Sequence, residues 1–264
     1  MKKSIALILA IFMMALPLTA CGNSGNQSPA APAASGSESA AGESAAGESA
    51  PAADEPVLSF KLAENQGKDN PVSQGVQMFA DLVEEKTGGN VTIEVYLDAQ
   101  LGNENETIDQ VQAGTLDFAR INTSALASTA DAVGVFTLPY IFTGMEHKYK
   151  VLDGEVGKEI LSKLEEHDLK GLAFAERGFR NLTNSVRPVQ NAEDIKNLKV
   201  RVMENEVYIA SFKAMGVNAV PMAWTEALTA LQQGTIQGQE NPVNVIHAYK
   251  MWDSQKHVTL TRHA

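Results

Sequence analysis

One cysteine in 264 residues leaves no partner for an intrachain disulfide and no Cys-based zinc site. Basic residues are also scarce: 21 Lys and Arg face 32 Asp and Glu, a formal net charge of −11. A phosphate backbone needs a basic footprint, so the composition argues against nucleic acid as a partner. The five histidines (His147, His167, His247, His257 and His263) fall at no metal-ligand spacing. Dinucleotide-binding, P-loop, nucleophile-elbow and zincin motifs are all missing. No metal, cofactor or enzymatic activity is therefore expected. The apolar run from Ser4 to Leu18 is about 15 residues, short of the roughly 20 that a helix needs to cross a bilayer core.

That run is nevertheless the right length for an export signal, and Lys2 and Lys3 supply its positive start. Leu18-Thr19-Ala20-Cys21 resembles the bacterial lipobox. The resemblance implies cleavage after Ala20 and a diacylglycerol (with palmitate among its acyl chains) on Cys21; the plainer reading is a secretory signal with a leftover thiol. Two acyl chains suffice for stable anchoring where one is marginal. Gly22–Pro56 holds 11 Ala, 7 Ser and 5 Gly, and neither an aromatic nor a branched aliphatic residue. It cannot bury enough apolar area to offset its ordering entropy, so residues 21–56 are expected to be a disordered tether.

From Val57 onward the pattern changes. Val57–Ala63 alternates as a strand, Asn70-Pro71 reads as a helix cap and first turn, and Gly88-Gly89 as its stop. Val91–Leu97 is a second strand, which completes a βαβ unit with parallel strands. Further along, helices are expected around Thr107–Ala113, Glu146–Leu152, Val156–Glu166, Ala192–Lys196 and Glu204–Met215. Thr225 reads as the cap of a helix ending at Gly234, and Pro242 as the start of another, to about Met251. Strands are expected at Leu116–Ile121, Gly171–Ala175, Phe179–Asn184, Leu198–Val202, Val217–Pro221 and His257–Thr261. Two βαβ-like units, near 57–97 and 198–221, suggest two α/β lobes. Ligands in such sheets bind at the carboxyl ends of strands, so a cleft between lobes is the natural pocket.

Alternation along Leu198-Lys-Val-Arg-Val202 puts Arg201 on the face opposite Leu198, Val200 and Val202. An arginine on an interior strand is costly unless it is paired or faces a cavity. A structural Arg–Glu pair or an exposed strand face remains open beside a carboxylate clamp, to which the planar guanidinium is suited. Arg180, in Gly178-Phe-Arg-Asn-Leu-Thr, and Asn241, in Gln237-Gly-Gln-Glu-Asn-Pro, are polar residues of the same kind.

The stretch Val217–Pro242, with Pro-Met-Ala-Trp-Thr-Glu and Gln-Gly-Gln-Glu-Asn-Pro inside it, resembles the signature of the DctP-type solute-binding proteins of TRAP transporters. Asp194–Val202, Gln100–Glu104, Gln112–Asp117 and Val135–Tyr140 resemble earlier segments of that family in the same order. The resemblance implies an α/β, two-lobe periplasmic-binding-protein-like fold over 57–264, with interleaved lobes, mainly parallel sheets flanked by helices, and a cleft between the lobes. It further implies capture of a small organic acid outside the cytoplasm and delivery to a sodium-driven membrane permease. Arg201 would clamp the ligand carboxylate and Arg180 assist. Asn241 would add a contact and Trp224 pack on the ligand. Asn65, Asn103, Glu104 and Asn122 would meet its polar end. Ala125 stands where the sialic-acid-binding branch carries an arginine, which argues against sialic acid. A sugar acid (a uronate or aldonate) is the favoured ligand and a C4-dicarboxylate the alternative. A sensory ectodomain and a secreted hydrolase are the readings from other classes. Family members run well past Ala264, so an incomplete second lobe is expected.

Overall fold

The first sheet is built by the expected βαβ unit. In a computed structural model of the chain, which describes residues 57–264, β1 (Leu58–Glu64) lies between β2 (Val91–Tyr96) and β3 (Phe118–Arg120), and all pairs are parallel. Between β1 and β2 runs α1 (Pro71–Lys86), whose first turn is closed by the Asn70 side chain accepting from the Val72 amide at 3.0 Å. Gly88 and Gly89 end it at φ of +62° and +87°, a region that costs glycine little. Leu62, Ala80 and Ile93 pack helix against sheet.

The helix α2 (Glu104–Gln112) starts three residues earlier than Thr107. Asn103 and Glu106 form a reciprocal capping box that the apolar pattern alone does not reveal. After β3 come the short α3 (Thr123–Leu126), a 3-10 helix at Asp131–Thr137, α4 (Met145–Leu152) and α5 (Glu155–Lys163). Phe136, Phe142, Leu152 and Leu164 hold these helices together.

A second, five-stranded sheet has the order β6-β5-β7-β4-β8, with β4 at Arg180–Asn184, β5 at Lys199–Val202, β6 at Asn218–Pro221, β7 at Gly238–Pro242 and β8 at His257–Thr259. β5 pairs in parallel with β6 and β7, but β4 runs antiparallel to β7 and β8. This sheet is therefore mixed, where a mainly parallel one was expected. The helices α6 (Glu206–Ala214), α7 (Trp224–Gln232) and α8 (Val243–Ala248) flank it. Val200 and Val202 are fully buried with Leu182, Tyr208 and Phe212, while Ala227, Leu231 and Val245 form a neighbouring cluster. Fully burying a valine contributes about 1.5–3 kcal/mol, which fixes the face that β5 turns to the core.

Several local expectations are corrected. Gly171–Ala175 is not a strand, and Ala192–Lys196 forms turns and no helix. Thr225 lies inside α7, which has Ala223 at its cap position and no side-chain cap. Pro242 ends a strand before α8 follows, and α8 stops at Ala248, short of Met251. No strand was read at β7 because its five residues, Gly-Gln-Glu-Asn-Pro, are all buried without being apolar. Its side chains satisfy one another and their neighbours: Gln239 Nε2 donates to Thr183 Oγ1 at 2.8 Å, and Asn241 Nδ2 to Gln239 Oε1 at 2.6 Å. Among the described residues no helix is long and apolar enough to cross a membrane. The signal segment, Cys21 and the tether lie outside the described residues.

Candidate ligand-binding cleft

The carboxyl ends of four strands converge on one pocket. Asn65 follows β1; Asn103, Glu104 and Asn105 follow β2 at the start of α2. From the second sheet, Arg201 projects from β5 and Met203 and Glu204 follow it; Met222, Ala223 and Trp224 follow β6. Parallel strands expose unpaired backbone and free side chains at their carboxyl ends, which is why one pocket collects them. The pocket takes in about 370 Å³ of space, the open solvent at its mouth included. Two hydrogen bonds join its walls: Asn105 Nδ2 to Glu204 Oε2 at 3.2 Å, and Asn205 Nδ2 to the Ser124 carbonyl at 3.1 Å.

Arg201 is 2 % exposed. Its Nε and Nη2 both donate to the Met222 carbonyl, at 2.9 and 2.6 Å, and its guanidinium lies 5.8 Å from the Trp224 ring. No carboxylate lies within ion-pair distance of it among the described residues. Burial pushes its pKa down to about 10, against the more distant pull of Glu240. Trp224 Nε1 is buried beside it with no hydrogen-bond partner. The structural-pair and exposed-face readings of Arg201 therefore both fail.

At the opposite wall, Glu104 Oε1 accepts from the backbone and side-chain nitrogens of Asn122, both at 2.7 Å, and lies 3.5 Å from Arg120 Nη1. Its Oε2 has no hydrogen-bond partner among the described residues, and Glu104 lines the pocket. Arg120 is bound to Glu64 through two nitrogens and donates to Asn65 Oδ1 at 2.7 Å.

Five of the residues read from the sequence thus line the pocket: Arg201, Trp224, Asn65, Asn103 and Glu104. A correction of placement applies to three others. Arg180 is held by Glu240, with Nη2 2.8 Å from Oε1, and His263 Nε2 lies 3.1 Å from the same carboxylate. Burial would raise the Glu240 pKa, but the Arg180 guanidinium and the His263 hydrogen bond overcome it and hold it at about 2. Asn241 is buried in the polar ladder of β7, and Asn122 sits behind Glu104. Sequence reasoning missed Asn105 and Glu204, whose meeting across the mouth has no local pattern. Arg120 and Arg177 were also missed; Arg120 lies between Ala119 and Ile121, the kind of apolar flanking that singled out Arg201, whereas Arg177 lies between Glu176 and Gly178 and leaves no such signal.

A buried guanidinium without a counter-charge thus lies where residues from two sheets meet in one pocket. Residues 62–264 match the family described as DctP, bacterial extracellular solute-binding protein, family 7, and the chain belongs to that family. It is 37% identical over 186 residues to the 2,3-diketo-L-gulonate-binding periplasmic protein YiaO of Escherichia coli, covering 70% of this chain and 57% of that protein. A TRAP periplasmic solute-binding protein from Polaromonas, solved with D-erythronate, superposes with a TM-score of 0.77 at 40% identity, over 78% of this chain and 68% of that one. The sugar-acid-binding protein DctPAm of Advenella mimigardefordensis, solved with galactonate, gives 0.78 at 34% identity, over 80% and 68%. The chain spans 57–63% of the length of three curated relatives that it matches.

Proposed function

We propose that this chain captures a sugar acid bearing one carboxylate, outside the cytoplasm, and hands it to a sodium-coupled TRAP permease while a lipid on Cys21 holds it at the membrane. The observation that carries the reading is Arg201, buried and turned to the cleft with no protein carboxylate beside it. The relatives solved with erythronate and galactonate support the ligand class.

Arg201 supplies the charge, and its Nη1 is free of protein partners among the described residues. Hydrogen bonds to ionised groups contribute about 1.5–3 kcal/mol each, against about 1 kcal/mol for neutral ones, so this contact dominates affinity. Glu104 decides the other end. Its open Oε2 accepts from a hydroxyl and repels a second carboxylate, which favours a polyhydroxy acid over a C4-dicarboxylate. Such a ligand would enter with the walls parted and be enclosed as Asn105 meets Glu204 across them.

Calorimetry of the full chain with D-galacturonate, D-galactonate, D-erythronate and succinate tests this. Binding of a sugar acid is expected, with Arg201→Ala weakening it at least about 100-fold and Arg201→Lys also weakening it because the fork is lost. Wild-type affinity in Arg201→Ala overturns the clamp, and succinate binding as tightly as the sugar acids overturns the ligand class.

A further inference from the structure

Arg177 is a fourth guanidinium near the cleft, outside the set singled out from the sequence. It lies in the segment 168–179 that leads from the helices around α5 to β4 of the second sheet. Glu176 fixes the backbone there. Its Oε1 accepts from the amides of Arg177 and Gly178 at 2.9 and 2.6 Å, and the carboxylate pairs with Lys148 Nζ of α4 at 3.1 Å. The Arg177 side chain has no such pairing. Its Nη1 donates to Asn122 Oδ1, its Nε is buried without a partner, and no carboxylate lies within ion-pair distance among the described residues. Burial and the neighbouring Arg120 and Arg180 push its pKa down to about 9. Leaving a cation there opposes folding, so stability does not account for it.

What Arg177 does do is orient an amide. An arginine donates only, so the Asn122 oxygen must face it, and the Asn122 NH2 group must then face Glu104. Both nitrogens of Asn122 thereby hold Glu104 Oε1 and leave Oε2 at the pocket. Without Arg177 the amide oxygen loses its donor, and Glu104 alone is left to hold the Asn122 side chain in place.

We propose that Arg177 is a positioning residue for recognition of the ligand's hydroxyls, acting through Asn122 to hold Glu104 at the pocket wall. This rests on the reading of the cleft as a sugar-acid site. The test is calorimetry with D-galacturonate and D-erythronate, together with thermal melting, on the full chain and on Arg177→Met, Arg177→Lys, Asn122→Ala and the Arg177→Met/Asn122→Ala pair. Arg177→Met is expected to weaken binding about tenfold or more while melting no lower than wild type, because an unpaired buried charge has gone. Arg177→Lys recovers part of the affinity, since its ammonium can still donate to Asn122. The pair binds within about twofold of Asn122→Ala alone, because the two act in series. Wild-type affinity in Arg177→Met, additive losses in the pair, or a lower melting point with unchanged affinity each overturns the proposal. Failure of the wild-type chain to bind either acid overturns the sugar-acid reading, and this inference with it.

Discussion

At the scale of single residues, two arginines on the strands either side of β7 have opposite fates. Arg180 and Arg201 are both buried, but Arg180 meets Glu240 and Arg201 meets only a carbonyl. Glu240 is 0 % exposed and held at about 2, below the value near 4.5 of an unfolded glutamate. Its contribution to stability is therefore complete above about pH 4.5 and is lost as the pH falls toward 2. Arg180, His263 and Tyr208 are the titratable groups that surround it. Glu240→Gln leaves Arg180 buried without its counter-charge and is expected to cost about 3–5 kcal/mol, read by denaturant unfolding at neutral pH. The acid-induced loss between pH 4.5 and 2 should shrink in the same variant.

At the scale of elements, β7 is the decisive strand, because it joins the parallel part of the second sheet to the antiparallel part. It starts at a position only glycine fits. A Cβ on Gly238 would stand 2.5 Å from the Thr183 carbonyl and 3.2 Å from Asn184 Cβ. Thr183 belongs to β4, hydrogen-bonded to β7, so it cannot retreat without breaking the ladder. Gly238→Ala is expected to destabilise by about 1–3 kcal/mol, measured as a lower denaturant midpoint with an unchanged slope. The helix α2 makes the complementary point. Its capping box fixes the first turn, and Glu104 is the first residue of that turn, so a local start signal delivers a pocket side chain.

At the scale of the whole molecule, a tether from Cys21 would let the binding lobes sit above the membrane and still reach a permease. Replacing Cys21 by Ser is expected to move the protein from the membrane fraction to the soluble fraction and to abolish incorporation of labelled palmitate. Retention at the membrane would rule the lipid anchor out. Such a change should leave ligand affinity within about twofold, because the pocket draws all its residues from 65–225.

How much of this was legible beforehand follows from what kind of signal each part leaves. Apolar alternation and caps are local, so β1, α1, β2, β5, α6 and β6 were read within a few residues. The alternation around Arg201 was enough to place it off the core face, because side chains in a strand alternate faces whatever surrounds them. A strand such as β7 leaves no such trace, since its buried polar groups are satisfied by β4, dozens of residues away. Whether an arginine is clamp or scaffold is equally non-local. Arg180 and Arg201 sit in similar sequence surroundings, and only the approach of Glu240 along the neighbouring strand neutralises one and leaves the other without a counter-charge. Pattern along the chain thus determined the elements and the polar candidates, while the folded sheet decided charge pairing, because a counter-charge acts across space and not along sequence.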